Sequence, residues 1–347
     1  MNTQIIGGFF TILFFLVVLS YYILILIPRR KTDTGIIPGS LSIIIPAHNE
    51  GPFLQECITS VLGADFTGTK EVLVVDDGSS DNTYTIAHSF KKQGVRTIRT
   101  RHSGKSASMN LALAHARGEL IAIIDGDSII HQDALSEMAK AFRNPVVVGA
   151  CGVVKVKNRK TPLGVWLHLE LLYNSLIRSL SAKVNANITT PGPLSMYRKK
   201  ELDALGGFST EGFSEDQDIA IRLIRAGHHI DFVDTAVAET NMPLTPKEFL
   251  RQRTRYARGA VNILRRHLKL SKNLIDIYTM PLFFFSYLQS IIMSSITLCQ
   301  VTSGYYIYFF AKGMYLNRYV IKFFFDWFSI LGFVQWVVGI FRGTVPL

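Results

Sequence analysis

ELIAIIDGDS, residues 119–128, runs from an apolar stretch into two carboxylates separated by a glycine. The same shape occurs twice earlier. LSIIIP (Leu41–Pro46) leads to Asn49-Glu50, and EVLVVD (Glu71–Asp76) leads to Asp77 and Gly78. A further β-branched run covers Pro145–Val154. Nearly continuous apolar runs of this length suit parallel strands buried on both faces. Helical patterns fall between them, at about 50–62, 81–93, 105–117 and 132–142. Strands and helices alternating at this spacing predict an α/β fold with a doubly wound sheet. In such sheets ligands bind beyond the carboxyl ends of the strands, where these polar residues sit.

Asp76-Asp77-Gly78-Ser79-Ser80-Asp81 is in part a strand-to-helix turn. Gly78 supplies a permissive conformation there, and Ser80 or Asp81 caps the next helix. Two adjacent carboxylates at the end of a buried strand exceed what a turn needs, and point to a ligand. Asp125-Gly126-Asp127 has the same placement, and its carboxylates can hold one divalent cation from two sides. Hard Mg²⁺ or Mn²⁺ usually completes such a shell with water and substrate phosphates. Gly104-Lys105-Ser106 opens a helix, a position that suits a phosphate. It is not a P-loop, because GxxxxGK[ST] is absent. Ser214-Glu215-Asp216-Gln217-Asp218 precedes an apolar helical pattern. Ser214 with Gln217 has capping-box spacing, and a carboxylate at a helix start can accept a proton from a hydroxyl.

The ends of the chain are greasier than its middle. Ile5–Ile27 is 23 residues without a charge, enough for about 35 Å of helix. Arg29, Arg30 and Lys31 follow it directly, so residues 1–30 read as an anchor with the next domain in the cytoplasm. Ile277–Ala311 is a second charge-free stretch, of 35 residues. It reads as an interfacial part and a span from about 288, or as a tight hairpin across 277–311, with another apolar stretch over 319–341. Residues 38–250 are then the cytoplasmic catalytic domain, 251–287 basic interfacial helices and 288–347 a C-terminal transmembrane region. The whole reads as a multi-pass cell-membrane protein. Mean hydropathy is +0.24, high for a wholly soluble chain. Net charge is +11, concentrated in part in Arg251–Lys272, which has eight Lys/Arg and no acid. Anionic membrane lipid is the partner this implies; flanking apolar spans argue against nucleic acid. Three dispersed cysteines with no CxxC exclude a disulfide scaffold and a zinc ribbon.

Seven motifs in order carry a family resemblance. They are SIIIPAHNE (42–50), VVDDGSSDNT (74–83), GKSASMN (104–110), IIDGDS (123–128), GPLSMYRK (192–199), SEDQDIAIRL (214–223) and QRTRYARG (252–259). Together they resemble the membrane-bound inverting GT-A glycosyltransferases. That group includes the poly-N-acetylglucosamine, chitin-oligosaccharide, hyaluronan and cellulose synthases.

The resemblance implies a GT-A mixed sheet and a role for each motif. Asn49, Glu50, Asp76 and Asp77 would hold the nucleoside. Lys105 would lie near the nucleotide, and Asp125 and Asp127 would bind Mg²⁺ or Mn²⁺, Asp125 also touching the nucleotide. Asp216 would be the general base. Gln252, Arg253, Arg255 and Tyr256 match a Gln-x-x-Arg-Trp signature over the diphosphate and acceptor, with tyrosine where that signature has tryptophan. The implied reaction moves a sugar from a UDP-sugar donor, N-acetylglucosamine or a related hexose, to a growing polysaccharide. Transfer of one sugar to a lipid or polyprenyl phosphate is the alternative, and a non-catalytic nucleotide-sugar-binding scaffold the remote one. Two or three spans make a poor polysaccharide channel, so a homo-oligomer or an accessory subunit would be a further partner.

Overall fold

The computed structural model describes residues 35–269 and 273–285, with isolated positions between 12 and 28 and at 288, 295 and 311. The chain divides into two compact units. One is Leu16–Leu244; the other joins Met1–Phe15 to Thr245–Leu347.

The first unit is built on one mixed eight-stranded sheet in the order β3-β2-β1-β4-β7-β6-β8-β5. β1 is Ser40–Ala47, β2 Thr69–Asp77, β3 Val95–Thr100 and β4 Leu120–Ile123. These four are mutually parallel. β5 is Ser128–Ile130, β6 Val147–Val156, β7 Ser195–Arg198 and β8 His229–Thr240. β7 is antiparallel to both β4 and β6, which makes the sheet mixed. The helices between strands are α1 (Gly51–Gly63), α2 (Thr83–Ser89), α3 (Lys105–His115) and α4 (Ala134–Lys140). Further along come α5 (Pro162–Ala182), α6 (Lys199–Ala204) and α7 (Glu215–Arg225). The α/β alternation is therefore as predicted, with helix and strand ends shifted by a few residues. β3, β5, β7 and β8 were not anticipated.

The apolar runs are continuous because both faces of the central strands are covered. Ile43 and Ile45 of β1 pack with Val72, Val74, Leu120 and Ala122 against Leu54, Ile58 and Val61 of α1. Ile44, one residue out of phase, joins Leu73, Val75, Ile121 and Ile123 against Met109 and Leu113 of α3 and Leu223 of α7. Strand side chains alternate between faces, so a two-sided core needs an apolar residue at nearly every position. Each fully buried Ile or Leu contributes about 1.5–3 kcal/mol of transfer free energy.

One local expectation is corrected. Ser214 and Gln217 do not form a capping box: Ser214 adopts a left-handed conformation (φ 71°) and its side chain makes no cap bond. Instead the Gln217 N–H donates to Asp216 Oδ1 (2.9 Å). A capping box does occur, in the second unit. There Thr245 and Glu248 start α8, Pro246–His267.

No helix among the described residues is long and apolar enough to cross a membrane. The stretches read as spans (5–27, 288–311 and 319–341) lie for the most part outside the described residues.

Candidate active site

Three adjacent parallel strands, β2, β1 and β4, end on the same edge of the sheet and deliver the predicted polar residues there. Beyond β1, Asn49 takes a left-handed conformation (φ 55°). Its backbone N–H donates to Ser79 Oγ (2.9 Å), and its side-chain oxygen accepts from the Ser80 N–H (2.9 Å). The Glu50 N–H donates to Thr83 Oγ1 (2.9 Å). The two loops are thus locked together, with Gly78 (φ 67°) making the turn that a side chain would strain.

The neighbouring acids of β2 have different duties. Asp76 is fully buried. Its Oδ1 accepts from the Ser79 N–H (3.1 Å), and Oδ2 lies 3.2 Å from Arg99 Nε. Asp77 organises the loop that starts α3. Its Oδ1 accepts from the Ser103 N–H (2.8 Å) and its Oδ2 from the Gly104 N–H (2.9 Å). Burial disfavours its charge, but these amide bonds outweigh that and lower its pKa. Asp77 therefore acts as a loop anchor as it stands.

Asp125, Gly126 and Asp127 form the turn after β4, with the Ser128 N–H closing back on the Asp125 carbonyl (3.0 Å). A β-carbon on Gly126 would lie 3.3 Å from Glu50 Cγ, which places Glu50 beside this turn. Lys105, the first residue of α3, reaches Asp125 Oδ1 at 2.6 Å and Glu215 Oε1 at 3.3 Å. Burial pulls the Lys105 pKa down, but Asp125 and Glu215 more than reverse this and raise it, so the ammonium stays charged. Asp127 is pushed up to about 6 by burial and then by Asp125. Like-charge crowding of two oxygen ligands fits a hard divalent cation, whose charge would relieve it.

Asp216 lies in the first turn of α7. It is pushed up to about 7, chiefly by burial, then by Glu215, against the opposing pull of Lys105. Its backbone carbonyl accepts from Thr190 Oγ1 (3.0 Å), and Thr190 accepts in turn from the Tyr197 hydroxyl (2.6 Å). The segment ahead of β7 is thereby tied to the start of α7. Asp218 has a structural role: it is buried and pairs with Arg222 Nε at 2.7 Å. Arg222 also donates to the carbonyls of Leu205 and Gly207.

Four further residues matter that were not picked out as site residues. A β-carbon on Gly192 would fall 2.5 Å from Lys105 Nζ and 2.6 Å from Asp125 Oδ2, so the loop passes hard against that ion pair. Gly192 does open the GPLSMYRK motif, but nothing in the one-dimensional pattern says what it approaches. Arg178 of α5 is nine-tenths buried, and its charge interacts with Asp216. His48 and His102 stack with ring centroids 4.2 Å apart, and both Nδ1 atoms point at Asp77. Their ligand atoms and Asp77's lie within 4.8 Å of one another. Two imidazoles suit a borderline metal better than Mg²⁺ or Mn²⁺, and Asp77 is already engaged by two amides. The oxygen pair Asp125/Asp127 is the better fit to a hard cation.

Gln252, Arg253, Arg255 and Tyr256 lie in the second unit, on α8. Arg253 stacks over Phe249 (4.7 Å) and Tyr256 (5.7 Å), and Arg255 over Tyr256 (5.9 Å). Tyr256 is exposed. The motif thus forms a cationic and aromatic cluster on one helix. Of the twelve predicted positions, the other eight share the strand-end edge or face it from α3 and α7.

Comparison with known proteins bears on the fold and the class of enzyme. Residues 42–206 match the family model described as Glycosyl transferase family 2. The chain is 27% identical over 332 residues to the probable glycosyltransferase YdaM of Bacillus subtilis (strain 168), covering 91% of this chain and 74% of that protein. It is 31% identical over 247 residues to an N-acetylglucosaminyltransferase of Rhizobium leguminosarum bv. viciae, covering 67% of this chain but only 58% of the relative. Among solved structures, the mannosyltransferase PcManGT from Pyrobaculum calidifontis, in complex with GDP-Man and Mn²⁺, superposes with a TM-score of 0.70. At 19% identity it covers 93% of this chain and 94% of its own, a likeness of fold.

Proposed function

We propose that this chain, a glycosyltransferase carrying a family 2 domain over residues 42–206, transfers a sugar by inverting single displacement from a UDP-sugar. The proposed acceptor is a growing polysaccharide at the membrane. The observation that carries the reading is Asp216, a carboxylate held near neutral pKa at a helix start, facing the Lys105–Asp125 pair through Glu215. A base of that pKa can take a proton from an acceptor hydroxyl and still be ionised at physiological pH. The oxygen of that hydroxyl attacks the anomeric carbon. The nucleoside diphosphate leaves from the opposite face, and the proton stays on Asp216.

Asp125 and Asp127 would hold a divalent cation, which when bound neutralises charge developing on the leaving diphosphate. Lys105 keeps its charge beside them and adds to the same stabilisation. Asn49, Glu50, Asp76 and Asp77 are proposed to hold the nucleoside, Asp77 also keeping the α3 loop in place. Contact with the diphosphate and acceptor is proposed for Gln252, Arg253, Arg255 and Tyr256 on their sequence signature. N-acetylglucosamine as the transferred sugar draws support from the name of the Rhizobium relative. The Mn²⁺ of the archaeal mannosyltransferase complex is in keeping with an oxygen-liganded cation. Membrane placement, with the catalytic unit in the cytoplasm, rests on the charge-free stretches and on Arg29, Arg30 and Lys31.

The test is UDP release by detergent-purified protein from a panel of nucleotide sugars, with Mg²⁺, Mn²⁺ or chelator, followed by sizing of the products. Chelator-sensitive release from one donor is expected, lost by a factor of roughly 10²–10⁴ in Asp216→Asn, or about 3–5 kcal/mol of barrier. Undiminished turnover in that variant would refute the base. A product ladder marks polymerisation, whereas single-sugar lipid products would replace the polysaccharide acceptor with a lipid one.

A further inference from the structure

α5 turns an apolar face outward. Val165, Trp166, Leu169, Leu172, Tyr173 and Leu176, together with Pro162, are all the exposed positions of this 21-residue helix. At 100° per residue they fall within an arc of about 120°. Its inner side is mixed: Gly164, Leu167 and Leu180 are buried there together with two polar residues. Ser175 and Arg178 are buried, with Arg178 Nη2 donating to Ser175 Oγ (2.9 Å), and His168 and Glu170 are only partly exposed. A helix on the surface of a water-soluble domain carries polar residues on its outward face instead. Trp166 is 61% exposed and Tyr173 59%, so the stripe presents large rings to its surroundings. A contiguous apolar stripe of this size marks an interaction surface.

Three observations identify the occupant. The C-terminal end of α5 is joined to the apolar N-terminal stretch: Lys183 Nζ donates to the carbonyls of Leu24 (3.0 Å) and Ile25 (3.1 Å). Leu16, Leu19, Ile23 and Leu26 of that stretch are themselves exposed, so the two greasy surfaces belong to the same unit and meet at Lys183. Exposed Arg159 and Lys160 precede the helix and Lys183 follows it, so the stripe is flanked by cations. Finally, its aromatic members are Trp and Tyr, the types that settle at a membrane–water boundary.

We infer that α5 is a lipid-facing helix, lying in the boundary of an anionic bilayer with Val165, Trp166, Leu169, Leu172, Tyr173 and Leu176 turned into the acyl region. This deepens the proposed membrane placement and rests on it for the anchoring of the chain.

The experiment uses the full chain with Cys299→Ser, since Cys57 and Cys151 are buried. Leu169→Cys, Tyr173→Cys and, as an exposed control, Lys92→Cys are each labelled with an environment-sensitive fluorophore. They are reconstituted into 3:1 phosphatidylcholine–phosphatidylglycerol vesicles. Spin-labelled lipid is expected to quench the two α5 labels by about half and to leave the Lys92 label unchanged. Aqueous iodide is expected to do the opposite. Iodide quenching of the α5 labels equal to that of the control overturns the inference. So does shielding of both α5 labels from iodide and lipid alike, because a protein, such as a second copy, then covers the stripe. An alkaline carbonate wash separates the two readings. Protein that resists the wash while its α5 labels ignore the lipid sinks the α5 inference alone. Protein that washes off, with labels quenched by lipid beforehand, sinks the anchor alone.

Discussion

Replacing Asp216 by Asn tests the electrostatics of the site through stability as well as rate. The carboxyl is raised from an ordinary 3.8 to about 7, first by burial and then by Glu215. The unfolded chain releases this proton near pH 4, whereas the folded chain holds it until about pH 7. Relative to a neutral side chain, Asp216 therefore costs nothing below about pH 4. Its cost grows as pH rises from 4 to 7 and is constant above. A shift of about 3 pH units corresponds to about 4 kcal/mol at most. Partial access to solvent reduces this to about 1–2 kcal/mol. Asp216→Asn should then melt roughly 2–6 °C above the wild type at pH 8, with a much smaller gain near pH 4.5. Thermal melts in detergent at the two pH values, run beside UDP release, give both readouts. A variant that melts lower than the wild type at pH 8, or gains equally at both pH values, would refute the account of Asp216 as a strained, functional carboxylate. Loss of activity with loss of stability would point to simple misfolding.

The same carboxyl shapes the pH–rate profile. kcat/KM should rise roughly tenfold between pH 6 and pH 8 as Asp216 ionises, and Glu215→Gln should move the midpoint down; a flat profile speaks against this base. In Gly192→Ala the new methyl would fall 2.5 Å from Lys105 Nζ and 2.6 Å from Asp125 Oδ2, so the ends of those two side chains must shift. A fall in kcat/KM of at least about tenfold is expected with little change in melting, read in the UDP-release assay. Asp77→Ala removes the acceptor for the Ser103 and Gly104 amides. A stability loss of about 1–3 kcal/mol is expected, with faster hydrogen exchange at those two amides.

Much of this was legible in one dimension, and for a physical reason. A strand covered on both faces requires apolar residues at consecutive positions, so β1, β2 and β4 announce themselves as IIIP, VLVV and IAII. The parallel ladder then obliges their carboxyl ends to share an edge, and Asn49, Asp76 and Asp125 come together without any knowledge of contacts. β3, with arginines at 96 and 99 on a half-exposed edge, lacks that signature. The short β7 carries too few residues to show a period, yet its antiparallel insertion turns the doubly wound sheet into a mixed one.

What the sequence by itself determined is the class of fold and the acids gathered at the strand ends. Tertiary structure alone decided which acids are taken up in holding the scaffold. Asp77 is taken up by the amides of the α3 loop, Asp218 by Arg222, and Lys105 by Asp125 and Glu215. It also decided that the Gly192 loop lies against the Lys105–Asp125 pair and that α5 turns an apolar face outward. These facts depend on which distant segments come within a few ångströms of each other. Periodicity reports the face of an element, but proximity between elements, and the pKa shifts that follow from it, exist only once the chain has folded.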